Sequence, residues 1–181
     1  PRTSGVRTIP PCGHVLGAIA ATDRAYGVFR APGNVVLNGA VATARELDDA
    51  DHGEFNDASI NAIRGEFGHP LRLGGARTLS FDPQWRHISI VRLMLTLKKA
   101  IDLSLRPVVF EPNDAATRHR VTTTLRGLLG GFHARGAFAG ATADTSFFVR
   151  CDDDTTTSAD RDAGRLIARL IAAPAPDRHR C

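Results

Sequence analysis

Two stretches of apolar residues at helical spacing constrain this chain more than any other feature. The first stripe consists of Ile90, Met94, Leu97, Ile101 and Leu105. The second, beyond Pro107, consists of Val121, Leu125, Leu128, Leu129 and Phe132. Residues that recur every three to four positions share one side of an α-helix, and other apolar groups must cover that side. We expect a core between the two helices and a sheet that contains Met94, Leu97, Ile101, Val121, Leu125, Leu128 and Phe132.

The ends of both helices carry recognisable signals. Ser89 and Asn113 are good N-caps, because their side-chain oxygens can accept hydrogen bonds from free backbone N–H groups. Pro107 stops the first helix and Gly136 ends the second. A small-residue helix is predicted at 13–20, and the charged segment after Leu47 predicts the start of a short helix.

Strand patterns in the sequence are short. Alternating residues at 61–64 and 71–73 predict a hairpin or a pair of short strands, and the apolar run at 108–110 predicts a buried strand. Residues 147–151 predict a further strand, whereas 165–173 fits either a strand or a helix. Together with the helices, these segments predict an α+β fold in which two long helices pack on a small mixed sheet.

Composition and charge argue against several classes of protein. The formal net charge is +4, but arginines are scattered among nearly as many acidic residues, so we expect no nucleic-acid partner. The apolar runs fall short of the ~20 residues that span a bilayer, so we expect no membrane insertion. Cys12, Cys151 and Cys181 are odd in number and widely spaced, which is untypical of a disulfide framework or a zinc site.

The acidic loop from Asp152 to Asp154 is the first candidate for a metal site. An EF-hand loop needs glycine at its sixth position and glutamate at its twelfth, where this loop has threonine and alanine. We expect its Asp and Thr side chains to bond their own backbone instead. Asp51 and His52 lie on a short predicted helix, where neighbouring side chains point in different directions. The sequence therefore predicts no metal site and no cofactor.

Nucleophilic catalysis needs a cysteine or serine positioned beside a base. Cys12 lies two residues before His14, but the sequence has no Gly-x-Ser-x-Gly motif and no phosphate-binding loop of the Walker type. We therefore predict no catalytic residues and no enzyme activity. Two alternatives stay open: a metal-dependent or cysteine hydrolase built on Cys12, His14 or the acidic loop, and a soluble binding module of unknown ligand.

Several short motifs, each weak alone, occur in an order and spacing that resemble a known family. They are PPCGHVLG at 10–17, TDR at 22–24, GVFRAP at 27–32, GARTLS at 75–80, DPQWR at 82–86, VFEPN at 109–113 and FFVRCD at 147–152. Over about residues 8–176 the chain resembles the C-terminal part of contractile tail sheath proteins, which include the sheaths of phage tails, tailocins and contractile injection systems.

This resemblance implies a structural role. A sheath polymerises around a tail tube and contracts to drive the tube through a target envelope, in a phage tail or injection particle assembled in the bacterial cytoplasm. The implied partners are other sheath subunits, the tube protein and the baseplate. The resemblance also implies that residues 1–73 are the remnant of a preceding α/β domain with a subtilisin-like fold, and that 74–176 form the sheath C-terminal domain.

Both ends of the chain depart from the family pattern. The chain starts at Pro1 instead of Met, so we expect that residues preceding it are missing. Family members continue after the proline-rich segment into an apolar extended arm, whereas residues 177–181 form an atypical, mostly charged tail. Since such arms add strands to a neighbour's sheet, we expect this chain alone to be monomeric or only weakly associated.

Overall fold

The computed structural model describes residues 5–65 and 68–175. The chain divides into two compact units, one up to Arg92 and the other from Leu93 onward. The domain boundary predicted at 73/74 lies earlier in the chain, and that assignment stays a prediction. The atypical tail at 177–181 lies outside the described residues.

The first unit contains two helices and a small antiparallel ribbon. Its elements are α1 (Cys12–Tyr26), α2 (Asp49–Asp57), β1 (Ile63–Arg64) and β2 (Arg72–Leu73). Both predicted helices and the predicted hairpin are thus confirmed, with Ile63 opposite Leu73. A small apolar cluster fills this unit, and it consists of Ala18, Leu37 and Leu71 with the half-buried Val35, Ala40 and Ile63.

The second unit continues the long helix that begins in the first. Its elements are α3 (Ile88–Leu105), α4 (Ala115–Ala134), α5 (Ala143–Ser146), β3 (Phe147–Arg150), α6 (Ser158–Asp162) and β4 (Arg169–Ala172). The strands β3 and β4 pair antiparallel over four positions, which confirms the predicted strand at 147–151 and makes the last apolar segment a strand. None of the described helices is long and apolar enough to cross a membrane.

The α+β class is confirmed, but three details of the prediction were wrong. The described residues form two separate two-stranded antiparallel ribbons and not one mixed sheet. The run at 108–110 belongs to a 3-10 turn (Arg106–Phe110), because Pro107 favours the start of a helical turn. Phe110 is 95% exposed, so the run is not a buried strand. Both N-cap predictions were misplaced: α3 already begins at Ile88, so Ser89 lies inside the helix, and Asp114, one residue after Asn113, caps α4 by accepting the Thr117 N–H at 2.8 Å.

Four of the seven predicted core residues are buried, one of them in α3 and three in α4. Leu97, Val121, Leu125 and Phe132 are buried. The other three predicted core residues, Met94, Ile101 and Leu128, are half-buried. The helix sides that face inward are centred on Leu93 and Leu97 in α3 and on Val121, Leu125 and Leu129 in α4.

Candidate interaction surfaces

The inner face of the β3–β4 ribbon is anchored to helix α4 by aromatic contacts. Phe138 lies between Phe132 of α4 and Phe147 of β3, with ring centroids 6.4 and 6.1 Å away respectively. On the same side of β3, Val149 is only 3% exposed. Because successive side chains of a strand alternate between faces, this anchoring fixes which residues of the ribbon face solvent.

The outer face of the same ribbon presents large apolar side chains to water. Phe148 and Ile171 lie directly opposite each other in the register, and they are 49% and 68% exposed. Among the described residues the ladder has two strands, so β3 and β4 each keep one edge without a ladder partner. Open edges beside an exposed apolar pair are the features that strand addition requires.

Two arginines also meet across this outer face. Arg150 and Arg169 are opposite each other in the ladder, and like charges at this distance destabilise a sheet. Arg150 is neutralised by two carboxylates: its Nε lies 2.5 Å from Asp152, and its Nη2 contacts Asp154. The hydrogen bond from Arg150 lowers the pKa of Asp152 and in turn raises the pKa of Arg150. Two carboxylates of the acidic loop therefore stabilise the ribbon by pairing with Arg150.

The rest of the acidic loop is held by its own backbone, as the sequence predicted. Asp152 Oδ1 accepts the N–H groups of Asp154 and Thr155 at 3.1 and 3.0 Å. The fully buried Thr156 accepts the Ile167 N–H at 3.0 Å through its hydroxyl, which joins the loop to the segment leading into β4. These hydrogen bonds fix the positions of Asp152 and Thr156 in the loop.

Asp153 joins this loop to two helices. Its carboxylate lies 3.1 Å from Arg118 in α4 and 2.9 Å from Arg161 in α6. Only 11% of the Arg118 side chain is exposed, whereas the Asp153 side chain is 75% exposed, so the pair lies at the surface with its cation partly covered. The neighbouring Cys151 is buried, and burial raises the pKa of its thiol, which disfavours the nucleophilic thiolate.

The other residues considered for catalysis or metal binding are engaged or dispersed. Cys12 is exposed at the start of α1, and His14 lies two positions later, where helix geometry directs it elsewhere. The Asp51 carboxylate accepts the Asp48 N–H at 3.3 Å and pairs with Arg45 at 3.2 Å. Within residues 5–65 and 68–175, no three His, Cys, Asp or Glu side chains are grouped to hold a metal ion. The absence of metal and catalytic sites stays a prediction.

Two polar contacts in the first unit were missed by the sequence analysis. The Asn61 side chain makes two hydrogen bonds to the backbone of Arg77: it accepts the N–H at 2.8 Å and donates to the carbonyl oxygen at 2.7 Å. Asp23 and Arg92 form a bidentate ion pair, and the hydrogen bond to Asp23 raises the pKa of Arg92. Neither pair has a spacing signal, because the partners are 16 and 69 positions apart.

The comparisons with known proteins agree on one class. A prophage major tail sheath protein of Pseudomonas aeruginosa is 33% identical over 105 residues, which is 55% of this chain and 27% of that protein. A chain of the anti-feeding prophage helical sheath in its contracted state superposes with a TM-score of 0.90 at 32% identity, and the match covers 100% of this chain and 51% of that one.

The chain is a homologue of contractile tail sheath proteins. A second sheath structure supports this, that of the contracted extracellular contractile injection system PVC, with a TM-score of 0.88 and 30% identity over 93% of this chain and 48% of that one. No family model matches. This sheath homologue spans about half the length of the solved sheath chains and about a quarter of the curated relative.

Proposed function

We propose that this chain is part of a structural subunit of a contractile sheath, and not an enzyme. The subunit polymerises with its copies around a tail tube and contracts to drive the tube through a target envelope. The observation that carries this proposal is the match of the whole chain to a subunit of a contracted helical sheath, at 32% identity and a TM-score of 0.90.

The proposed partners are other sheath subunits, the tail tube protein and the baseplate, in a particle assembled in the bacterial cytoplasm. A baseplate structure of the anti-feeding prophage also contains a chain that matches 92% of this one, with a TM-score of 0.88. Within the subunit, we assign residues 1–73 to the end of the preceding subtilisin-like domain and 74–176 to the C-terminal domain. The family motifs and the half-length coverage support this assignment.

The β3–β4 ribbon is the proposed point of attachment for a neighbouring subunit. A strand that adds to an open edge satisfies backbone N–H and C=O groups, and alternating apolar side chains fix its register. Phe148 and Ile171 provide the apolar surface beside that edge, while the buried Val149 and Phe132 hold the ribbon in place. Such a link keeps subunits tethered while the lattice of a sheath rearranges.

A chimera tests this function. Residues 5–175 would replace the matching half of the anti-feeding prophage sheath chain, which retains its own remaining segments. We expect long hollow tubes by negative-stain electron microscopy, whereas the 181-residue chain alone scatters light as a monomer or weak, irregular associate. A folded chimera that never forms tubes, under conditions in which the parent sheath does, would contradict the proposal.

A further inference from the structure

The solvent side of α3 is a well-defined helix face. Its exposed residues are Leu95, Lys98, Lys99, Asp102 and Leu103, followed by Arg106 in the 3-10 turn. At 3.6 residues per turn these positions fall within about 140° of one another around the helix axis. The opposite side carries Leu93 and Leu97, which are 1% and 5% exposed. The exposed face is therefore continuous and belongs wholly to residues from Leu93 onward.

This face combines apolar surface with excess positive charge. Leu95 and Leu103 are 62% and 48% exposed, and Phe110, just beyond, is 95% exposed. Lys98, Lys99 and Arg106 are opposed on the face by the single carboxylate of Asp102, which lies 3.4 Å from Arg106. Exposed pairs of this kind contribute little to stability. A face on which apolar and cationic side chains alternate is complementary to an apolar partner that carries carboxylates.

A segment of the first unit has that complementary chemistry. The run 46–57 contains six acidic residues and neither lysine nor arginine. Within it, helix α2 has no fully buried residue, and Asp49, Glu54 and Asp57 are exposed. Ile60 follows at once and is 51% exposed, held by a 2.7 Å hydrogen bond from its N–H to the Phe55 carbonyl.

Helix α2 is fixed in place although none of its residues is fully buried. A nine-residue helix is marginal by itself. Its start is secured by a capping box between Asp48 and Asp51, and Arg64 of β1 pairs with Asp49 at 2.9 Å. Glu54 and Asp57, in its later part, take no part in this capping box and are exposed.

We propose that the solvent face of α3 in one copy receives α2 and Ile60 of a second copy. Two different surfaces then meet head to tail, and where each copy uses them with two different neighbours the contact extends into a ring or an open helical array. Pairing α3 with α3 would instead bring two cationic faces together. This contact rests on the proposed sheath function and adds to strand exchange a charge-dependent contact between subunits.

Of the two states expected for the 181-residue chain, a monomer or a weak associate, this contact requires weak association, and a charge-swap experiment tests it. One variant carries Lys98→Glu and Lys99→Glu, and the other carries Glu54→Lys and Asp57→Lys; neither touches the residues that cap α2. Each variant alone opposes like charges, so we expect self-association in low salt, by sedimentation velocity, to weaken about tenfold or more. Mixing the two variants restores opposite charges at both contacts, and we expect wild-type association to return.

The control variant reverses two exposed arginines outside both surfaces, Arg24→Glu with Arg126→Glu, and keeps wild-type association. The contact is refuted if the unmodified chain does not self-associate, if the mixture stays as weak as its components, or if the control weakens equally. The experiments also distinguish a failure of this contact from a failure of the proposed sheath function. Tubes from a chimera with Lys98→Glu and Lys99→Glu refute only the contact, whereas rescue in the mixture without tubes from any chimera refutes only the function.

Discussion

The two units of this chain are stabilised in different ways. From Leu93 onward, a twenty-residue helix buries a continuous row, with Val121, Leu125 and Leu129 at most 1% exposed. Aromatic contacts then join this helix to a ribbon with four paired positions. Up to Arg92, the strands are two residues long and the apolar cluster has three buried members. There, hydrogen bonds from side chains such as Asn61 to the backbone supplement the short strand pairing.

The difference between the two units in buried apolar residues agrees with the roles that we propose for them. The second unit has its own core and leaves chosen apolar groups outside, at Phe148 and Ile171. The first unit depends more on polar clamps, as expected for the remnant of a larger domain in our assignment. Exposed apolar groups on a rigid support are typical of surfaces that bind other proteins.

The largest expected effect is on the core of the second unit. Leu125→Ala removes a side chain with 0% exposure, and we expect unfolding to become easier by about 2–5 kcal/mol. Leu37→Ala in the first unit should fall near the low end of that range, since its half-buried neighbours can close the space. Urea unfolding of both variants measures the difference, and a larger loss from Leu37→Ala would reverse the comparison.

Loss of a polar contact in the first unit should lower the free energy of unfolding less than loss of a core leucine, but more than loss of an exposed charge. Asp23→Asn removes one charge of a pair whose side chains are 28% and 24% exposed. We expect a loss of about 1–2 kcal/mol from this partly shielded pair. Asp57→Asn, on an exposed position, serves as the control in the same urea titration. Equal stability of the two variants would show that the pair contributes nothing.

Acid should weaken the second unit through three carboxylates. Hydrogen bonds lower the pKa of Asp114 (from the Thr117 N–H), of Asp152 (from Arg150) and of Asp160 (from the Thr157 hydroxyl). A lowered folded pKa gives stability that is complete above the unfolded value, about pH 4, and is lost as pH falls through the folded value. Thermal unfolding from pH 7 to pH 3 should show this decline, with a shallower slope in Asp152→Asn.

The smallest effect on stability is expected on the outer face of the ribbon. Phe148→Ser removes a half-exposed ring, and we expect a change within about 0.5 kcal/mol. The matched control, Phe147→Ser, removes a ring that contacts Phe138, and it should destabilise the unit clearly. In the chimera, Phe148→Ser should still reduce the yield of tubes. Normal tube yield would separate the exposed pair from assembly.

The sequence predicted the elements of this fold better than their partners. The stripes of α3 and α4 identified both helices, because helical periodicity is a local property. The strand predicted at 108–110 failed because an apolar run looks alike in a buried strand and in an exposed turn. The Asn61–Arg77 grip and the Asp23–Arg92 pair could not be predicted, since tertiary folding brings distant residues together. At the ribbon, the motif FFVRCD at 147–152 gave the position, but the pairing of Phe148 with Ile171 needed the register.

A helical reconstruction of chimeric tubes by cryo-electron microscopy would show whether neighbouring subunits attach at the β3–β4 ribbon. We expect strands from neighbouring subunits to extend the ribbon beyond two strands, with apolar side chains against Phe148 and Ile171. Tubes in which the ribbon keeps two strands, with Phe148 and Ile171 facing solvent, would contradict it.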